Sequence, residues 1–372
     1  MKRRDFARGL SAAALGGSLG AFPMSSRAYG PDDWPRGIAR GDLGVAERAW
    51  DVAGGVSDTA IGQSDAFLIV QDGRLVFERY GADGGPDVRH ISWSMAKSVT
   101  HALVGVAVGQ GKVDIDAPLI SFPHPDPRLN LRALLTLTDG LKWEEGDYDP
   151  ASSDATRLLY GPGRMDGAAF MAARAQAWPP GTRWNYSTGS FVLAAAELQA
   201  RLFPDARTPE TRRAAMAAWI RRGLFDPLGM TTALPEFDPA GTFGGGSFVY
   251  ASARDFARFG ELYRLDGFWR GRRVLPEGWV KFARTPTVEA TYGAGFWLEA
   301  PAAHKPPSLM IGAGPMDAFS AQGHNGQVIL VVPSKSLVIV RLALMDDGDA
   351  GWKALAEWLT PIVNSLPDMH AL

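Results

Sequence analysis

The sequence predicts an α/β (α+β) fold: an antiparallel β-sheet flanked by helices, with a mainly helical domain inserted between its two halves. Three observations point there. Paired apolar runs joined by turn residues occur near both ends of the chain, helical spacing fills the middle third, and a last helical pattern follows the second β pair. The expected division is a leader over residues 1–28, a sheet domain from 29–112 and 240–372, and the helical insertion over 113–239.

The first residues read as an export signal. Lys2, Arg3 and Arg4 precede Asp5-Phe6, a weakly apolar run extends from Gly9 to Phe22, and Ser26-Arg27-Ala28 offers small residues for cleavage. Adjacent arginines followed by x-Phe are similar to the twin-arginine signal of bacteria. The expected location is therefore the periplasm, with the twin-arginine machinery as a partner. No later segment is apolar for long enough to stay in a membrane once the signal is removed.

The first β pair covers residues 66–70 and 74–78, and Asp72-Gly73 between them is a two-residue hairpin signal. A helix beginning at or just before Ser94 is expected to bury Val99, Leu103, Val104, Ala107 and Val108, and to end at Gly109-Gln110-Gly111. Helical patterns follow over residues 131–137, 168–178, 191–202 and 209–223, separated by Pro- and Gly-rich breaks. Ser252-Ala253-Arg254-Asp255 reads as a capping box before Phe256, Phe259, Leu262 and Tyr263. The second β pair is 327–332 and 337–342, joined by Pro333-Ser334-Lys335-Ser336. Residues 352–363 close the chain as an amphipathic helix that Pro361 could shorten or kink.

The chemistry centres on Ser94 and Lys97. Three residues apart, they share a helical face, so the Lys97 amine can point at the Ser94 hydroxyl. The positive end of the helix disfavours a charged lysine and favours a developing alkoxide. A serine beside a neutral lysine is an activated nucleophile. The same spacing also fits an N-capping serine next to a solvated lysine. Tyr186 stands on a loop between two helical segments, where it could shuttle a proton between nucleophile and leaving group. Gln322-Gly323-His324-Asn325-Gly326-Gln327 leads into a strand. An N–H at that glycine-flanked edge, paired with the N–H of Ser94, would make an oxyanion hole.

Ser94-Met95-Ala96-Lys97, Tyr186-Ser187-Thr188 and His324-Asn325-Gly326, in this order, resemble the three motifs of the serine β-lactamase and penicillin-binding-protein superfamily. The likeness is to its class C-type branch, whose second motif begins with tyrosine. That branch includes family VIII esterases, DD-peptidases and 6-aminohexanoate-oligomer hydrolases. Leu134-Leu135-Thr136-Leu137-Thr138-Asp139-Gly140-Leu141, Gly244-Gly245-Gly246-Ser247, residues 253–260 and Tyr292-Gly293-Ala294-Gly295-Phe296-Trp297-Leu298 are similar to scaffold stretches of the same family, so the resemblance spans nearly the whole mature chain.

The resemblance implies that Ser94 is acylated, that Lys97 is its base or proton relay, and that Tyr186 protonates the leaving group and later helps activate water. Which of Lys97 and Tyr186 takes the serine proton stays open. It implies an oxyanion hole from the N–H groups of Ser94 and Gln327, and substrate contacts from His324, Asn325 and Gly326. Asp147-Tyr148-Asp149-Pro150 resembles a segment of the nylon-oligomer hydrolases whose tyrosine closes over substrate, which makes Tyr148 a further contact. Three residues depart from the class C pattern. Thr188 replaces an asparagine, His324 replaces a lysine with its fixed charge, and Asp139 stands where serine is usual.

These departures favour an esterase or short-amide hydrolase, with a DD-peptidase or weak β-lactamase as the alternative. A non-catalytic peptide receptor on the same scaffold is the alternative from another class, and retention of serine, lysine and tyrosine together argues against it. The expected partner is a small ester, amide or peptide substrate. Trp93, Trp143, Trp184 and Trp297 lie near the motifs and suggest an aromatic cleft. A net charge of −2 gives no nucleic-acid footprint, the absence of cysteine removes thiolate chemistry, and the six histidines lack metal-ligand spacing. No cofactor is implied.

Overall fold

Asp72 and Gly73 both take positive φ, 53° and 70°, and fold the chain back on itself between strands β1 (Gln63–Gln71) and β2 (Arg74–Tyr80). The computed structural model describes residues 34–53, 60–122, 124–146, 149, 151–299, 308–310, 312–346 and 348–369. Helix α1 (Gly44–Ala53) precedes the hairpin, and strand β3 (His90–Ile91) then leads to helix α2 (Met95–Gly109). Helices α3 (Leu131–Leu135), α4 (Asp154–Leu159), α5 (Gly167–Ala172), α6 (Thr188–Leu202) and α7 (Pro209–Ile220) follow, and α7 runs on into a π-helical stretch, Arg221–Phe225. Strands β4 (Leu234–Pro235) and β5 (Val249–Ala251) join β3 in a small sheet of order β3-β5-β4. Helix α8 (Ala253–Arg264), the hairpin of β6 (Phe268–Trp269) and β7 (Arg272–Arg273), helix α9 (Trp279–Ala283) and strand β8 (Trp297–Leu298) come next. Strands β9 (Phe319–Gly323), β10 (Gln327–Val332) and β11 (Leu337–Leu344) complete the large sheet, and α10 (Asp349–Asn364) packs behind it.

The large sheet has the order β2-β1-β11-β10-β9-β8 and its neighbours are antiparallel. Its central strands are apolar at consecutive positions because both faces are covered. Ala66, Leu68, Val70, Ile329, Val331, Val338 and Val340 face one core with α2 and α8. Phe67, Ile69, Val328, Leu330, Leu337 and Ile339 face a second core with Leu355, Leu359, Ile362 and Val363 of α10. Each Val, Leu, Ile or Phe among them contributes about 1.5–3 kcal/mol on burial.

Apolarity on both faces leaves register unspecified, and Arg341 supplies the missing constraint. Fully buried in β11 opposite Phe67, its guanidinium donates to Ser64 Oγ at 2.9 Å, to Gly326 O at 3.3 Å and to Ile61 O. A slip of one residue would strand that charge in the core.

The mixed α/β architecture is the expected one; three local expectations are corrected. Helix α5 stops at Ala172 instead of running to 178, because Lys142 N–H donates to Ala175 O and Ala177 N–H to Gly140 O, pulling the chain into a bridge. Helix α3 ends at Leu135, and Leu137 takes a left-handed φ of 57°. At α8, Ser252 Oγ accepts from Asp255 N–H, but the Asp255 carboxylate goes to Thr232 and Arg258 instead of back to Ser252, so half of the capping box forms.

Candidate active site

Helix α2 is held in place by short polar side chains, one after another along its first turns. Ser92 Oγ accepts from Val249 N–H, Ser98 Oγ donates to Gly295 O at 2.6 Å, and Thr100 Oγ1 donates to Gly245 O at 2.8 Å. The backbone of 244–247 therefore lies against α2, and a Cβ at Gly246 would come within 2.6 Å of Thr188 O. Trp93, with φ of 44°, makes the tight entry that sets Ser94 as the N-cap of α2. Ser94 Oγ makes no capping bond there and is half-buried.

Its partner is Lys97. The amine of Lys97, a side chain only 1% exposed, lies 2.9 Å from Ser94 Oγ, 2.9 Å from Thr188 Oγ1 and 3.0 Å from Gly246 O. Burial pulls its pKa from the usual lysine range down to about 8, against the opposing pull of the Glu145 carboxylate. The solvated-lysine alternative is thereby removed. Glu145 sits behind Thr188, accepting from its hydroxyl, from its N–H at 2.9 Å and from Trp143 Nε1 at 2.6 Å.

Thr188 opens α6, whose N-cap Ser187 accepts from Ser190 N–H, and this cap throws Tyr186 forward onto the same site. The Tyr186 ring centre is 4.9 Å from Lys97 Nζ. The ring stacks on Trp297 at 5.2 Å, with Trp184 and Tyr292 at 6.2 and 6.1 Å. Asp139 is buried under this helix start, taking bonds from Ser190 Oγ and Leu141 N–H; burial nonetheless pushes its carboxyl up to about 6.

A family model described as beta-lactamase matches residues 58–352, well over half of the chain. The chain belongs to the beta-lactamase family. A 6-aminohexanoate-dimer hydrolase of Paenarthrobacter ureafaciens is similar to it at 25% identity over 302 residues, 77% of this chain and 74% of that protein. Among solved structures, a candidate 6-aminohexanoate-dimer hydrolase from Bacillus anthracis superposes with a TM-score of 0.68 at 19% identity, covering 90% of this chain and 89% of its own. A penicillin-binding protein from Bacillus halodurans gives 0.59 at 17% identity, covering 86% and 100%.

Within this beta-lactamase-family chain the third motif stretch divides. His324 turns its ring to Trp93, centre to centre 5.3 Å. Asn325 and Gly326 form a left-handed turn whose carbonyls are taken by Met345 N–H and Arg341, on the side of the second core. Gln327 begins β10, one strand behind, with its side-chain amide bonded to both Ala343 O and Ala343 N–H across to β11. The strand edge that meets α2 is instead the end of β9, where a Cβ on Gly323 would run into Ser92 O and lie 3.2 Å from Trp93 Cβ.

Tyr148 lies outside the described residues, as do the leader residues 1–28. Of the four tryptophans, Trp184 and Trp297 flank Tyr186 and Trp93 flanks His324, while Trp143 is buried against Phe170 and anchors Glu145. Glu145 and the Gly246 carbonyl are the site groups that spacing did not single out. Their only trace is the acidic pair Glu144-Glu145 and the triple glycine. No His/Cys/Asp/Glu group suited to a metal occurs among the described residues.

Proposed function

We propose that this chain is a serine hydrolase that opens amide or ester bonds through an acyl-enzyme on Ser94. The observation that carries the reading is the buried Lys97 amine, 2.9 Å from Ser94 Oγ and lowered to a pKa of about 8. In its neutral form it accepts the Ser94 proton as Oγ attacks the substrate carbonyl. Tyr186 gives its phenolic proton to the departing amine or alcohol and takes the one held by the Lys97 ammonium in its place; water then attacks the acyl-enzyme, releases the acid and restores the Ser94 hydroxyl. The Ser94 N–H is one oxyanion donor. The backbone at the Gly323–His324 edge of β9 is better placed than Gln327 for the second, because it touches the turn that carries Ser94.

The substrate we assign is a short linear amide or ester, in keeping with the similarity to 6-aminohexanoate-dimer hydrolase and with the aromatic wall of Trp184, Tyr186 and Trp297. Residues 1–28 are proposed to be a twin-arginine export signal, a reading that N-terminal sequencing of the protein from a periplasmic fraction checks.

Intact-mass spectrometry after exposure to a p-nitrophenyl ester, a fluorophosphonate and a penicillin, with Ser94→Ala alongside, tests the mechanism. Labelling of the native chain alone, with turnover of the ester and of the linear 6-aminohexanoate dimer, is the expected result. A lasting penicillin adduct without dimer turnover would move the assignment to a cell-wall peptidase, and no adduct at all would overturn it.

A further inference from the structure

Around Lys97 the hydrogens can run in only one direction, and a carboxylate that touches no reacting atom decides it. Among the described residues the amine has three oxygen neighbours: Gly246 O, Thr188 Oγ1 and Ser94 Oγ. A carbonyl only accepts. Thr188 has a single hydroxyl hydrogen, and it points at Glu145 Oε1, which as a carboxylate oxygen also only accepts. Glu145 cannot turn away, because Thr188 N–H and Trp143 Nε1 hold its other oxygen.

With its hydrogen taken, Thr188 Oγ1 can offer only lone pairs to Lys97. A neutral amine has two hydrogens and one lone pair. The hydrogens go to Gly246 O and Thr188 Oγ1, and the lone pair is left for the Ser94 hydroxyl. We infer that Glu145 is a positioning residue for the reaction, one that aims the Lys97 lone pair at Ser94 by fixing the direction of the Thr188 hydroxyl. When Ser94 passes its proton across, the resulting ammonium has three hydrogens for the same three oxygens, and no heavy atom need move. The inference rests on the acyl-enzyme reading above.

Glu145→Gln reverses this arrangement without changing its shape. The amide oxygen keeps the two N–H donors, its NH2 faces Thr188 Oγ1, and the Thr188 hydroxyl is driven to donate into the Lys97 lone pair. Among the described residues, the groups around Lys97 are Ser94, the Gly246 carbonyl, Thr188 with Glu145 behind it, and Tyr186 with its ring 4.9 Å away. Glu145 is the carboxylate in that set and favours the ammonium. Its neutralisation should therefore move the rising limb of the acylation pH profile to lower pH while lowering the plateau. A merely structural residue would lower the plateau alone.

The test is the rate of Ser94 acylation by a p-nitrophenyl ester, followed by intact mass across pH, in the native chain, Glu145→Gln, Thr188→Val and the double variant. Glu145→Gln is expected to slow acylation roughly 100-fold with the limb shifted to acid. In the Thr188→Val background the same change should cost under about 3-fold, because its route to Lys97 is gone. A Glu145→Gln chain that acylates as fast as the native one with an unmoved limb, or equal costs in both backgrounds, overturns the inference and leaves the acyl-enzyme intact. Native rates in Thr188→Val overturn it independently of how Glu145→Gln folds. A native chain that never labels at Ser94 removes both readings together.

Discussion

At the start of α2 the polar atoms are committed to the site: Lys97 reaches Ser94, Thr188 and Gly246, and Glu145 holds Thr188 from behind. At the turn 324–326 they are committed to the core: Asn325 and Gly326 give their carbonyls to Met345 and Arg341, and only His324 looks toward Trp93. Both stretches resemble family motifs, but they differ in what their spacing guarantees. Two residues three apart on a helix are neighbours by geometry alone. A motif at a strand end is delivered to the site only if the turn falls at the right residue, and here strand pairing puts Gly323 opposite Gln327 and carries the last three residues past the edge.

The sharpest break of that contrast is Lys97→Met, which keeps the buried stem and removes the amine. It should lower kcat/KM by about 1,000-fold, close to 4 kcal/mol of barrier, in steady-state ester hydrolysis. A native-like rate would show that the lysine is only packing. The pH profile comes second. Burial lowers the Lys97 pKa to about 8, and the mechanism proposed above makes the neutral amine the active form, so kcat/KM should climb with pH and level off above that value. At pH 6 it should stand roughly 100-fold below the plateau, tenfold per unit. A flat profile between pH 6 and 8 would mean that lysine is not the base.

The turn should answer to stability instead of rate. Gly326 has φ of 78°, and a Cβ there would lie 2.6 Å from the Arg341 guanidinium. Gly326→Ala should cost about 2 kcal/mol in urea unfolding, with initial rates of the folded fraction within about 2-fold of native. A raised KM at unchanged stability would instead return the turn to the substrate site.

Much of this was legible from local signals. Asp72-Gly73 marked its hairpin, and Ser94 with Lys97, taken together with the Tyr186 and His324 stretches, marked the candidate site, whereas the covering of both sheet faces was not read from the sequence. The Lys97 cradle was not, since Thr188 and Gly246 are 91 and 149 residues away in the chain, and no periodicity records such a meeting. Glu145 was hidden for the same reason: it acts on Lys97 through Thr188, 43 residues later. The overlong helix expected at 168–178 failed where backbone bonds to Gly140 and Lys142 outweighed local helical preference.

The pairing of β1 with β11 sets a timetable for the newborn chain. Arg341 and Ser64 touch in the middle of the sheet yet are 277 residues apart, so a ribosome adding about 5–20 residues per second leaves β1 waiting roughly a quarter of a minute to a minute for its neighbour. Throughout that interval the apolar edge of the first hairpin is open to any other strand that passes. The sheet closes only once β11 has followed, and β9, the wall beside Ser94, is fixed by that same long-range pairing, so the candidate site waits on it as well.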